Sequence, residues 1–217
     1  MPVNTTRSTA SDSERRRTHG HARFKIFLTR HGQSEANTRD QLGGNSTITA
    51  VGECYASRLS GTLLACLPNN GEGLVVKVWT STLARTIATA RHLPFEKHQY
   101  KALDEISAGD FEHMTYEEIA VTRPKEAAER KRDKLRNKFP NGESYLDLLD
   151  RVEPINAALD LACASDYVCV VAHQAVLRVM YSYFMDIPLE RVPHLDIPLH
   201  TLMELTPMPD VFLAADA

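Results

Sequence analysis

The sequence predicts an α/β fold, a three-layer αβα sandwich around a mostly parallel central sheet. Three observations carry this expectation. Short apolar runs close at Arg30, Thr80 and His173. Their hydrophobicity is continuous rather than alternating, as in strands covered on both faces. Helical periodicity fills the intervals between them, the alternation that builds parallel sheets. At 217 residues the chain holds enough to bury the core of one such domain and too little for two of ordinary size.

The first strand is expected in Phe24-Lys-Ile-Phe-Leu-Thr29, stopping at Arg30-His31-Gly32. A second runs from Leu74 to Thr80, followed by Ser81 and Thr82 as helix caps and by a helix carrying Leu83, Ile87, Ala90 and Leu93. From Ser144 onward Tyr145, Leu148, Leu149, Val152, Ile155, Leu159 and Ala162 recur at helical spacing, with Ser144 and Asp147 placed as a capping box. Pro154 sits inside that pattern and is expected to kink or break the helix. A third strand, Tyr167 to Ala172, ends at His173, and a further helix carries Val176, Leu177, Val179 and Met180. Leu199 to Leu205 reads as a late strand. Residues 1–22 are polar and basic and are expected to form a disordered tail; the domain spans 23–207, and 208–217 is expected as a C-terminal tail.

A net charge of −3 gives no global drive toward nucleic acid, so any anionic ligand must be held by cations gathered locally. No apolar stretch approaches the ~20 residues of a membrane span. The four cysteines form no CxxC pair and no secretory apolar segment lies near the N-terminus, which leads to the expectation of a reducing, cytoplasmic location. No HExxH or carboxylate cluster with metal-ligand spacing occurs, so neither metal nor cofactor is expected.

Chemistry concentrates at strand ends, where ligands gather in α/β folds. Arg30 and His31 put a cation and an imidazole just past the first strand, and Gly32 there permits close approach by a phosphate. Arg85 stands in the first turn of the helix after Thr80, where a guanidinium can grip two phosphate oxygens. His173 places a second imidazole at the same sheet edge. Glu105, beside an apolar run, is suited to proton transfer. Each has an ordinary reading alone, as a strand-end histidine, a surface arginine or a solvated carboxylate. Together they supply a nucleophile, groups for a pentacoordinate phosphoryl centre and an acid for the leaving oxygen.

The stretches LTRHGQSEAN, KVWTSTLARTIATA, YKALDEISAG, MTYEEI, PNGESYLDL, HQAVLR and PLHTLMELTP, in that order from about Phe24 to Pro207, resemble the histidine phosphatases, or phosphoglycerate mutase-like proteins. Within that family the chain resembles the fructose-2,6-bisphosphatase half of the bifunctional enzymes that also carry a 6-phosphofructo-2-kinase. The resemblance implies that Arg30, His31, Arg85 and His173 bind the transferred phosphoryl group, with His31 as nucleophile and Glu105 as acid and later base. It implies that Asn37 and Gly43 line the same cleft, and that Tyr116, Arg130, Lys134, Tyr145, Gln174 and Arg178 serve the second phosphate and the sugar. Gln33, Ser107 and Ala172 depart from the family's usual Glu, Asp and Cys. No GxxxxGK[ST] phosphate loop occurs, so the chain is either monofunctional or one part of a longer protein linked to a kinase domain.

Pro124 to Phe139 holds seven Lys or Arg against three Asp or Glu, which reads either as a solvated helix or as a second cationic site. A bisphosphate carries roughly −3 to −4 charge near neutral pH, and Arg130 and Lys134, four apart on one helical face, are suited to hold it. Hydrolysis of fructose 2,6-bisphosphate is the leading expectation. A phosphoglycerate mutase, a broad-specificity phosphatase and an inactive phosphometabolite-binding module are its rivals. The mutase reading lacks a Glu-Arg-x-Tyr-Gly segment.

Overall fold

A computed structural model describes residues 25–162, 167–207 and 212–216, and the tail expected over 1–22 lies outside them. Six strands form one sheet: β1 (Ile26–Arg30), β2 (Val76–Thr80), β3 (Glu96–Gln99), β4 (Tyr167–Ala172), β5 (Leu202–Pro207) and β6 (Phe212–Asp216), in spatial order β3-β2-β4-β1-β5-β6. β3, β2, β4 and β1 pair in parallel, while β5 runs antiparallel to β1 and β6 to β5. The helices are α1 (Glu35–Thr38), α2 (Ala50–Cys66), α3 (Ala84–Ala90), α4 (Tyr116–Thr122), α5 (Pro124–Arg132), α6 (Tyr145–Ala162) and α7 (Gln174–Phe184).

The central strands alternate their side chains between two cores. Ile26, Leu28, Val168 and Val170 face Leu148, Val152, Leu159, Val176 and Met180 of α6 and α7. Phe27, Val78, Cys169 and Val171 face Tyr55, Leu59 and Leu63 of α2. All six residues of β4 are buried, so its continuous apolar run follows from coverage on both faces. A third, smaller cluster of Ala108, Phe111, Ile119 and Phe139 underlies α4 and α5.

Several local expectations are corrected. The stretch 208–217 is not a tail throughout, because Phe212–Asp216 returns as β6 beside β5. β3, Glu-Lys-His-Gln, escapes the sequence pattern because it is an edge strand with almost nothing buried. Ser144 and Asp147 do form the expected capping box, each backbone N–H bonded to the other's side chain. α6 then continues through Pro154 without a break. Val152 before it and Ile155 and Leu159 after it are buried in the same core, which holds both halves of the helix in line. α3 begins at Ala84 with Leu83 as N-cap, so Ser81 and Thr82 are not its caps. Its buried face is Arg85, Thr86, Thr89 and Ala90, while Ile87 is exposed. Among the described residues no helix is long and apolar enough to cross a membrane.

Candidate active site

Strand register assembles the centre of the site. Arg30 lies opposite Ala172 across the parallel β1–β4 pair, and His31 N–H donates to the Ala172 carbonyl at 3.0 Å. The next residue on each strand is a histidine, so His31 and His173 meet with ring centroids 5.2 Å apart.

The His31 ring is buried, with Nδ1 2.8 Å from the Gly32 carbonyl oxygen. A carbonyl can only accept, so Nδ1 carries the proton and Nε2 the lone pair. Burial, the Arg85 charge and, more weakly, Arg30 push the ring down to about 3 against the opposing pull of the Gly32 carbonyl. The imidazole is therefore neutral at working pH, as a nucleophile must be. Gly32 has a packing role that the sequence does not show. A Cβ there would lie 2.6 Å from Gly52 O, so the close approach it permits is that of the α2 N-terminus. Its N–H donates to Thr89 Oγ1, whose hydroxyl donates to Arg85 O, tying α3 to the loop that carries His31.

His173 is buried with both nitrogens engaged. Nδ1 accepts from Arg85 Nε at 3.2 Å, so Nε2–H donates to Ser81 Oγ at 2.8 Å. Burial and the Arg85 charge hold it well below the ordinary histidine range. Arg85 Nη1 donates to Gly44 O at 2.8 Å, which leaves Nη2 to meet an anion. Arg30 Nη1 donates to Ile197 O, and its buried Nε has no hydrogen-bond partner among the described residues. Such a donor is costly to bury unless an acceptor joins it.

Glu105 Oε1 accepts from Ile106 N and from Ala175 N in the first turn of α7. Those two amides fix the carboxyl and leave Oε2 as the atom able to carry a proton. Asn37 gives its Oδ1 to Ser34 N and Oγ, so it can offer a ligand only its Nδ2 donors.

These residues border a cavity of about 690 Å³. Of the thirteen expected site residues, twelve line it: Arg30, His31, Asn37, Gly43, Arg85, Glu105, Tyr116, Arg130, Lys134, Tyr145, Gln174 and Arg178. His173 does not; it stands behind Arg85 and orients it. The lining carries six Arg or Lys against three Asp or Glu, a formal +3 within a chain of −3, so the cations are gathered where an anion would sit.

The basic segment differs in detail from expectation. α5 ends at Arg132, and Asp133 Oδ1 accepts from Leu135 N and Arg136 N, turning the chain. Lys134 is therefore not on the helix face of Arg130. Arg130 is buried, its guanidinium 3.9 Å above the Phe139 ring, and Nη1 donates to the carbonyls of Lys134 and Asn137. It braces the turn that presents Lys134. Burial and the charges of Arg178 and Arg130 pull the Lys134 ammonium below its usual range, a repulsion that a bound phosphate would relieve. Arg178 donates to Tyr145 Oη at 2.9 Å and to Leu195 O.

The sequence model of the histidine phosphatase superfamily, branch 1, matches residues 26–214. The chain belongs to that superfamily. Among its histidine phosphatase relatives, a 6-phosphofructo-2-kinase/fructose-2,6-bisphosphatase of Arabidopsis thaliana is 45% identical over 83% of this chain and 24% of its own length. A Saccharomyces cerevisiae protein named fructose-2,6-bisphosphatase is 42% identical over 84% of this chain and 39% of its own. The chain thus spans from 24% to 39% of the length of these relatives. In structure it is similar to an alpha-ribazole phosphatase from Shigella flexneri, with a TM-score of 0.77 and 23% identity over 88% of this chain and 95% of that one, a likeness of fold. Sequence reading of this histidine phosphatase missed the carbonyls of Gly44 and Ile197, which hold Arg85 and Arg30, because any residue type offers a carbonyl. It also took Ser81 for a helix cap, although the hydroxyl faces His173.

Proposed function

We propose that the chain hydrolyses fructose 2,6-bisphosphate to fructose 6-phosphate and phosphate through a phosphohistidine on His31. The observation that carries this reading is that one cavity holds two groups of cations. Arg30 and Arg85 stand beside the neutral His31, and Arg130, Lys134 and Arg178 stand with Tyr116 and Tyr145. A monophosphate needs only the first group. The relatives at 42–45% identity carry this activity in their names.

In the first step His31 Nε2 attacks the 2-phosphoryl phosphorus in line as the bond to the sugar oxygen breaks. The positive charge growing on the ring is met by the Gly32 carbonyl at Nδ1–H. Arg30 and Arg85 hold the non-bridging oxygens, and Glu105 passes its proton to the departing sugar oxygen. In the second step the Glu105 carboxylate takes a proton from water, which attacks phosphorus and returns His31 to its neutral form. Arg130, Lys134 and Arg178 hold the 6-phosphate throughout. Linkage to a kinase domain in a longer protein is supported by the bifunctional Arabidopsis relative, whereas the Saccharomyces relative is named for the phosphatase alone.

A panel of phosphate esters with released phosphate as readout tests the proposal. Fructose 2,6-bisphosphate is expected to exceed fructose 6-phosphate, 3-phosphoglycerate and p-nitrophenyl phosphate in kcat/KM by at least about tenfold, the worth of one charge-assisted contact. Equal turnover of the whole panel would favour a broad-specificity phosphatase.

A further inference from the structure

Glu105 lies in a stretch without regular structure, Asp104 to Ala108, between a short 3₁₀ turn over Lys101–Leu103 and another over Gly109–Phe111. A proton donor must be held to a fraction of an ångström, so something outside this stretch has to fix it. Arg151, in the second turn of α6, does so with all five of its donors. Nη1 donates to the carbonyls of Ala102 and Asp104 at 2.9 and 3.0 Å, and Nη2 reaches the carbonyl of Glu105 itself at 3.5 Å. Nε and Nη2 form a fork onto the two oxygens of Glu143, at 2.8 and 2.9 Å. Glu143 completes the clasp: its Oε2 accepts from Ser107 N, and its N–H donates to Ser107 O.

We infer that Arg151, locked by Glu143, is a positioning residue that sets Glu105 for proton transfer to the leaving oxygen. Arg151 does not line the cavity that holds His31; it borders a second, adjoining cavity that shares Arg85 and Glu105 with the first. It holds Glu105 by the backbone it grips, and its charge also reaches the buried His173. The arrangement also accounts for the residue type, since a lysine has neither the fork nor enough donors for three carbonyls and a carboxylate.

The inference rests on Glu105 being the general acid, and leaving-group dependence separates the two claims. p-Nitrophenolate departs with little need of a proton, whereas a sugar oxygen needs one. Glu105→Gln is expected to slow the sugar bisphosphate by about 10²- to 10⁴-fold and p-nitrophenyl phosphate far less. Arg151→Ala is expected to show the same selectivity, losing about 10- to 100-fold in kcat on the bisphosphate with KM within about threefold, and little on the aryl ester. Arg151→Lys should recover little of the loss, and Arg151→Ala added to Glu105→Gln should cost little more. Glu143→Gln, which keeps the shape of the clasp but removes its charge, should give a smaller loss of the same selectivity, and it carries the test if the Arg151 variants do not fold. If Glu105→Gln is selective and the clasp variants slow both substrates equally, or neither, the inference is overturned. If Glu105→Gln itself slows both equally, the acid assignment fails instead.

Discussion

The Nδ1 atom of His31 lies 2.8 Å from the carbonyl oxygen of the residue that follows it, Gly32. This contact assigns the ring's one proton and leaves the Nε2 lone pair free for the attack proposed above. It works together with burial and the Arg85 charge, which keep the ring neutral down to about pH 3.

That depressed value has a consequence for stability. Between the ordinary histidine value of 6.5 and about 3, the unfolded chain binds a proton at His31 that the folded chain does not. Stability therefore rises with pH through this window and is lost as pH falls below 6.5, by up to about 1.4 kcal/mol per pH unit. His173 acts in the same direction. Denaturant midpoints are expected to be flat above about pH 7 with respect to these two groups and to fall on acidification, and His31→Gln should flatten the acid slope by about one proton. An unchanged slope in that variant would show that the ring titrates normally in the fold.

Glu105→Gln tests the proton donor. With Oε1 held by two amides, the amide variant keeps much of the shape and loses the transferable proton. Phosphoryl transfer from the sugar bisphosphate should slow by about 10²- to 10⁴-fold with substrate affinity nearly kept. Single-turnover kinetics read the two quantities separately, and a variant with full turnover would assign the proton to another group.

The second-phosphate group is tested at Lys134 rather than Arg130, because Arg130 also braces the 134–139 turn through two carbonyls and Phe139. Lys134→Ala should lower kcat/KM for the bisphosphate by about 10-fold or more, less so in high salt, and leave p-nitrophenyl phosphate nearly unchanged. Arg130→Ala should lower both, together with melting temperature. Equal losses on both substrates for Lys134→Ala would mean that it serves the shared phosphoryl pocket or the fold.

Gly32→Ala puts a methyl group 2.6 Å from Gly52 O and 2.8 Å from Gly52 Cα, both backbone atoms with no side chain to yield. Stability should drop by about 1–3 kcal/mol, and turnover should fall as His31 moves with its neighbour. Gly52→Ala meets Gln33 O at 2.3 Å across the same contact and should do the same. Melting curves and kcat identical to wild type in both would show that the two segments separate freely.

Much of this was legible in the sequence, for identifiable reasons. β1, β2 and β4 announce themselves because burial on both faces demands continuous apolar residues, and β4 places His173 at its end for the same reason. β3 is silent because an edge strand with exposed side chains has no such demand. The helix face around Ile87 was misread because α3 turns its polar residues inward, Arg85 toward Gly44 and Thr89 toward Gly32. Lys134 was placed on a helix that Asp133 ends through a side-chain bond no periodicity encodes. Twelve of the expected site residues line one cavity, yet the carbonyls that hold Arg30 and Arg85 and the contacts of Arg151 depend on three-dimensional approach alone.

The central claim is that His31 carries the phosphoryl group. Rapid quenching of enzyme mixed with fructose 2,6-bisphosphate labelled in the 2-phosphoryl group tests it most directly. The account predicts an acid-labile, alkali-stable phosphoryl group on His31 that forms as fructose 6-phosphate is released, and none in His31→Ala. Label on another residue, or phosphate released with no phosphoenzyme at any time, would contradict it.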